Sequence, residues 1–263
     1  MYIYPMGLSI ILPTINESGN IELIITQIQT HFGSKLHQII VVDDNSKDDT
    51  CLLVKKMSDS DPRIHLIQRV NPDGLTGAIR DGFIFSDSEY IAWMDCDGSM
   101  PVQDLKEMWN VMIRDKYLVV VGSRFVQGGM TKGKLHKHNS IFEVYKNLKL
   151  SEDSFAAVLL SKLMNILLKL ILNCKVRDLT SGFIILQKKI ITHHDFKGNY
   201  GEYFPILMKT LENRGVQIKE IGYINLPRYS GESKTGTSLI KILKRGFPYL
   251  VLSFRFKIKR GSI

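Results

Sequence analysis

Short apolar runs alternate with longer amphipathic ones through the first half of the chain. LSIILP (8–13) predicts a strand, and the segment from Glu17 to Phe32 carries apolar positions at helical spacing. QIIVVDD (38–44) predicts a second strand, and SKDDT opens the helix after it with acids in the first turn, as the helix dipole prefers. RIHLIQ (63–68), YIAWMD (90–95) and YLVVVGS (117–123) predict further strands, with helical segments near 76–86 and 102–114 between them. Strands that are apolar almost throughout, alternating with helices, imply a parallel sheet covered on both faces. Such sheets take ligands in the crevice beyond the carboxyl ends of their strands. PTINE, DDNS, DCDGS and SR stand at four of those ends, so all four clusters are expected to face one crevice.

The pattern breaks after Arg124. Residues 125–155 are long, basic and glycine-containing without a clear period, which suits either a loop over the crevice or a solvated insertion. Residues 156–176 predict a helix whose polar positions Ser161, Lys162, Asn165, Lys169 and Asn173 form one narrow stripe. A helix so apolar is either buried or lies in a membrane interface. A helix over 201–214 and a strand over 216–223 complete the pattern before the C-terminal tail.

Composition changes this picture in four ways. With 263 residues and 44% hydrophobic content, the chain can bury one substantial core. Its three cysteines, Cys51, Cys96 and Cys174, show no metal-ligand spacing and point to a reducing compartment. MYIYPMGLSIILP has no basic n-region and too short an apolar run for a signal peptide, and no stretch of eighteen or more apolar residues occurs, so neither a signal peptide nor a spanning helix is expected. The net charge of +9 is the more telling number, because the stretch from Ser233 to Ile263 holds eight Lys/Arg and no acid. There the basic residues interleave with FPYLVLSFRF, a composition that suits an anionic membrane surface. Nucleic acid would accept the charge but leave the apolar residues without a purpose, so no nucleic-acid partner is expected.

The chemistry concentrates in YIAWMDCDGSMP (90–101). Residues two apart in an extended chain point the same way, so Asp95 and Asp97 present two carboxylates just past a strand end. Two anions there are costly unless a cation is shared or one is protonated, and hard oxygen donors suit Mg²⁺ or Mn²⁺. Turn-capping aspartates are the plainer alternative. DCDGS also looks like the nucleophile motif of haloacid-dehalogenase-type phosphatases. That motif normally ends the first strand of its domain, whereas three strand-like units precede it here, and no later paired-acid motif follows.

Taken together, ILPTINE, VVDDNSKDDT, DCDGSMP, VGSRF, VRDLTSGF and RYSGESK resemble, in order, family 2 inverting glycosyltransferases. The resemblance is strongest to the dolichyl- or polyprenyl-phosphate mannose synthase branch, to which RDLTSGF with a later RYSGESK is the more specific. It covers roughly residues 7–234. It implies the α/β GT-A nucleotide-diphospho-sugar transferase fold, a Rossmann-like mostly parallel sheet, followed by C-terminal amphipathic helices. The catalytic domain would span 1–235, and 236–263 would form a basic membrane-associating tail. By the same resemblance Pro13, Ile15, Glu17, Val42 and Asp44 would hold the nucleoside. Asp95, Cys96 and Asp97 would meet the diphosphate, with Asp95, Asp97 and Ser99 around Mg²⁺ or Mn²⁺. Arg124, Arg228 and Lys234 would grip phosphate, and Asp97, Arg124 and Arg228 would carry catalysis. Asp178 and TSGF would border the acceptor, although a turn role suits Asp178 as well. The implied partners are a nucleotide-diphospho-sugar donor (GDP-mannose first), a polyprenyl or dolichyl phosphate acceptor, and the cytoplasmic face of a membrane.

The sequence departs from the family at three points. Ile15 stands where the family usually has tyrosine, and Ser99 where it commonly has glutamine. The segment from Gly129 to Ser161 is longer than usual, leaving Lys132, Lys134 and Lys137 as stand-ins for a second phosphate-contacting arginine. Two histidines, His136 and His138, fall in the same basic segment. A related transferase acting on a glycan hydroxyl would need a base, for which Asp178 is the candidate. A catalytically silent membrane-binding subunit is the alternative from another class.

Overall fold

The computed structural model describes residues 7–131, 155–229 and 239–260. Seven strands form one sheet in the order β3-β2-β1-β4-β6-β5-β7. They are β1 (Leu8–Thr14), β2 (Leu36–Asp43), β3 (Ile64–Gln68), β4 (Tyr90–Trp93), β5 (Val119–Ser123), β6 (Ile184–Gln187) and β7 (Ile218–Gly222). β1 pairs in parallel with β2 and β4, β2 with β3, and β5 with β7. β6 alone runs antiparallel, between β4 and β5, so the sheet is mixed rather than wholly parallel. No strand was expected at 184–187, because four residues are too few for a period to appear.

Alternation along each strand feeds two cores. Leu8, Ile10 and Leu12 of β1, Ile39 and Val41 of β2, and Val120 of β5 enter the first, under α1 (Ile21–Phe32), α2 (Thr50–Ser60) and α4 (Val102–Asp115). Ile11, Ile40, Ile91, Trp93, Val119 and Val121 enter the second. That face is covered by α3 (Leu75–Phe85), α5 (Phe155–Leu172), α6 (Tyr203–Asn213) and α7 (Leu239–Arg260). Both faces are therefore apolar because both are buried.

Two helix starts differ from expectation for one reason. α1 begins at Ile21 rather than Glu17, and Asp48 and Asp49 precede α2 instead of forming its first turn. The two loops are tied to each other there, Glu17 N–H donating to Thr50 Oγ1 and Ser18 N–H to Asp48 Oδ2, which holds Glu17 and Asp48 out of the helices.

α5 also departs from its expected polar stripe. Asn165 is buried and holds the 177–179 loop: its Oδ1 accepts the N–H of Leu179 at 2.7 Å, and its Nδ2 donates to the carbonyl of Arg177. Leu163, Ile166 and Leu170, one face at helical spacing, are exposed instead. α7 packs on α5, and Tyr249, Leu250, Leu252 and Phe256 pack against the second core, so the expected tail is joined to the domain. Its opposite face exposes Phe247, Phe254 and Ile258, with Arg255 and Lys257 beside them.

Candidate active site

The carboxyl ends of β1, β2, β4 and β5 lie along one edge of the sheet. The loops after β1 and β2 are stitched together there. Asn16 and Asn45 adopt positive φ (51° and 64°), a conformation asparagine tolerates better than most residues. The N–H of Asn16 donates to Ser46 Oγ at 2.8 Å, and Asn16 Oδ1 accepts the N–H of Lys47 at 2.7 Å. Ser18 N–H donates to Asp48 Oδ2, and Glu17 N–H to Thr50 Oγ1. Burial would raise the Asp48 carboxyl, but hydrogen bonds from Thr50 and Ser18 outweigh it and hold the group at about 2. Asp48 is thus a fixed anion that braces the loop.

Asp44 stands beside this cradle, paired with Arg69 Nη1 at 2.6 Å. Arg69 also bonds Asp81 (2.8 Å) and Asp73, so one guanidinium is shared by three carboxylates. Burial consequently raises the Asp44 carboxyl above its ordinary range, against the pull of Arg69. Ile15 is 39% exposed at the rim and offers an apolar surface; Pro13 is half-buried beside it. Val42 corrects the expectation: it is 0% exposed, packed beneath Gly82 of α3, and its side chain has no surface to offer a ligand.

The DCDGS turn is joined to a segment far away in the chain. The carbonyl of Asp97 accepts the N–H of Tyr229 at 3.0 Å, and that of Ser99 accepts Leu226 N–H (3.1 Å) and Asn225 Nδ2 (3.2 Å). Met94 and Cys96 both enter the first core, so the carboxylates between and after them are turned away from it. Cys96 was expected at the diphosphate and is instead buried as an apolar residue. Asp97 Oδ1 accepts the N–H of Ser99 at 2.9 Å, while Oδ2 pairs with Arg228 Nη2 at 3.0 Å. Arg228 Nε is buried without a hydrogen-bond partner among the described residues, an orphan donor at the crevice.

Gly98 makes this junction possible. It has φ +80°, and an added β-carbon would lie 2.4 Å from the Tyr229 ring. Gly98→Ala is expected to displace the 225–229 segment and raise the KM for nucleotide sugar about tenfold, with the melting temperature down by a few degrees. Unchanged kinetics would show that the ring contact is dispensable.

At the end of β5, Arg124 is locked to Asp178. The carboxylate accepts Arg124 Nε and Nη2, both at 2.8 Å, and the backbone N–H of Arg124 at 2.9 Å. Thr180 Oγ1 takes a further bond from Nη2. Burial would raise the Asp178 carboxyl, but the charge and hydrogen bonds of Arg124 outweigh it and hold it below the usual range. A carboxylate that is 0% exposed, saturated with donors and weakly basic is the counter-ion of Arg124. It is a poor candidate for a general base.

The edge therefore brings together Glu17, Asp44 and Ile15 on one side, Asp95, Asp97, Ser99 and Arg228 at the centre, and Arg124 with Asp178 beyond. Lys234, the basic segment with Lys132, Lys134 and Lys137, and His136 and His138 lie outside the described residues. Arg69 and Tyr229 went unnoticed in the sequence. RYSGESK contains Tyr229, but nothing in the chain pattern links Arg69 to Asp44.

The family model "Glycosyl transferase family 2" matches residues 9–194. The dolichol-phosphate mannosyltransferase of Pyrococcus furiosus is 27% identical over 98% of this chain, which spans 66% of that relative's length. The polyprenol monophosphomannose synthase of Mycolicibacterium smegmatis is 27% identical over 88% of this chain and 82% of its own. Among solved structures, glucosyl-3-phosphoglycerate synthase from Mycobacterium tuberculosis, in complex with Mn²⁺, UDP and glucosyl-3-phosphoglycerate, superposes with a TM-score of 0.57. The likeness covers 96% of this chain and 80% of the other at 15% identity, and it bears on the fold alone.

Proposed function

The chain belongs to glycosyl transferase family 2, and from that premise we propose that it moves a hexose from a nucleotide-diphospho-sugar to a polyprenyl or dolichyl phosphate, inverting the anomeric centre. Mannose from GDP-mannose is the first donor to test. The reading is carried by one observation, the pairing of Asp97 with Arg228 where the 94–101 turn is knit to the 223–229 segment. An anion and a cation held together at a strand-end crevice suit a ligand that brings both a metal ion and phosphate oxygens.

The donor set fits Mg²⁺ or Mn²⁺. Among the described residues no group of three His, Cys, Asp or Glu side chains could hold a metal by itself. Asp95 and Asp97 would supply hard oxygens, with the Ser99 hydroxyl nearby, and the remaining positions would fall to phosphate oxygens and water, as Mg²⁺ prefers. When bound, such an ion would act as a Lewis acid on the diphosphate leaving group. Arg228 would give its free Nε–H to a phosphate oxygen, and Lys234 would add a point charge. Pro13, Ile15, Glu17 and Asp44 would hold the nucleoside. Arg124 would present its positive field from a fixed place, because Asp178 orients it.

A lipid phosphate is already an anion, so its oxygen needs alignment with the anomeric carbon rather than a base. The state of Asp178 supports this over a hydroxyl acceptor. No described helix is long and apolar enough to cross a membrane. The exposed apolar faces of α5 and α7, flanked by Arg255 and Lys257, suit peripheral binding to the anionic cytoplasmic leaflet.

Purified protein with GDP-mannose, a polyprenyl phosphate in detergent and Mn²⁺ or Mg²⁺ is expected to yield mannosylated lipid. A chelator should remove the product, and excess divalent ion should restore it. Transfer that occurs only to glycan hydroxyls, or that ignores the chelator, would overturn the acceptor or the metal respectively.

A further inference from the structure

A carboxamide buried under a largely apolar helix needs partners for both of its polar groups. Asn165 of α5 is 5% exposed; Leu163 and Ile166 beside it face outward, and Leu168, one turn on, enters the second core. Both of its partners are backbone groups of one loop. Oδ1 accepts the N–H of Leu179 at 2.7 Å, and Nδ2 donates to the carbonyl of Arg177.

Side chains set the path of that loop throughout. The N–H groups of Lys175 and Val176 donate to Glu212 Oε1, and those of Arg177 and Asp178 to the two oxygens of Glu220. The N–H of Leu179 goes to Asn165 and that of Thr180 to Asp178 Oδ1. Glu212 stands on α6 and Glu220 on β7, so two helices and a strand each hold one stretch. Asn165 holds the stretch from which Asp178 and Thr180 project.

Those two residues place Arg124. The Asp178 carboxylate accepts Nε and Nη2, both at 2.8 Å, and Thr180 Oγ1 accepts Nη2 as well. Among the described residues Nη1 has no hydrogen bond, and the Arg124 side chain keeps 14% exposure. Nη1 is therefore the edge of the guanidinium left for a phosphate oxygen. Its position follows the loop. Leu179 is 0% exposed, so without Asn165 its N–H would be a buried orphan, and the loop would shift to find it a partner. A displacement of about 1 Å at a positioned group can cost on the order of 10²-fold in rate.

We propose that Asn165 is a positioning residue for Arg124: it fixes the 177–180 loop, the loop fixes Asp178 and Thr180, and these aim Nη1 at a substrate phosphate. The kinetic half of this rests on the transferase reading given above. One helix thus carries an exposed apolar face, Leu163, Ile166 and Leu170, and on its inner side the anchor of a phosphate-binding arginine.

The test compares Asn165→Leu with Leu168→Ala in the full chain. Asn165→Leu keeps the volume and removes both polar groups, whereas Leu168→Ala opens a cavity in the same helix and removes no polar group. Both should lower the melting temperature by a few degrees. Exchange of the Arg124 Nε–H with water, followed by NMR, reports the Asp178 bond and needs no substrate. In Asn165→Leu this exchange is expected to be about tenfold faster, and kcat for hexose transfer about tenfold lower. Leu168→Ala should keep both at parent values well below its melting temperature. Glu220→Gln, which weakens the hold on the Arg177 and Asp178 N–H groups, should move both in the same direction, and it decides the matter if Asn165→Leu does not fold. Nε–H exchange at the parent rate in Asn165→Leu, or an equal change in Leu168→Ala, overturns the assignment. So does faster exchange with kcat unchanged. A parent without hexose transfer sinks the transferase reading instead, and the exchange comparison still decides whether Asn165 holds Arg124.

Discussion

Asp97→Asn is expected to lower kcat for hexose transfer about 10²–10³-fold, the range seen when one electrostatic group is lost from a transition-state site. The substitution is nearly isosteric, and asparagine retains an oxygen to accept the Ser99 N–H, a bond of 2.9 Å in the parent. What disappears is the charge that Arg228 faces at 3.0 Å and that a divalent cation would share with Asp95. Mn²⁺-dependent binding of nucleotide sugar should fall with kcat, as measured by calorimetry with and without the metal. Folding should suffer little, because Arg228 is 21% exposed and water can partly replace its partner. Arg228→Lys should show a smaller loss, since a lysine keeps the charge but not the fork that matches phosphate. An Asp97→Asn protein that still binds nucleotide sugar with Mn²⁺ and turns over normally would remove the metal–diphosphate assignment.

The second large effect is on stability. Asp178→Asn should destabilise the fold by about 3–5 kcal/mol, because it leaves a buried guanidinium without its counter-ion. Arg124 has only 14% of its side chain exposed and Asp178 none, so solvent cannot compensate. Urea denaturation of the two proteins measures the difference, and a change within 1 kcal/mol would show that the pair is not what holds the 177–180 loop. The same pair sets an acid limb. The folded carboxyl of Asp178 lies below its unfolded value, so its contribution is complete above that unfolded value, near pH 4, and drains away as pH falls through the lower folded one. Arg124 stays charged throughout this window. The parent should therefore lose stability on acidification below about pH 4, and Asp178→Asn should lose less over the same span. Parallel acid limbs would place the acid sensitivity elsewhere.

Much of the site was legible before the fold was known. Asp95, Asp97, Arg124 and Arg228 sit in motifs whose order along the chain is informative, and strand-end carboxylates announce themselves wherever an apolar run stops. The resemblance placed Val42 and Cys96 at the ligand, yet alternation turns both side chains into the cores. Arg69 escaped notice because an isolated arginine after a short strand looks like surface charge. Only the fold shows it shared among Asp44, Asp73 and Asp81.

Local pattern by itself determined the strands of the first half, the two-sided burial of the sheet and the edge on which the polar clusters stand. Those are consequences of periodicity, which acts over a few residues. The tertiary structure decided the rest. It reversed β6 between β4 and β5, brought Arg228 to Asp97 and Arg124 to Asp178, and turned the Asn165 side of α5 inward so that Leu163, Ile166 and Leu170 face out. It also folded the C-terminal helix onto the domain, with Tyr249, Leu250, Leu252 and Phe256 against the second core. Each of these depends on contacts between residues far apart in the chain, and such contacts leave no periodic trace in a single sequence.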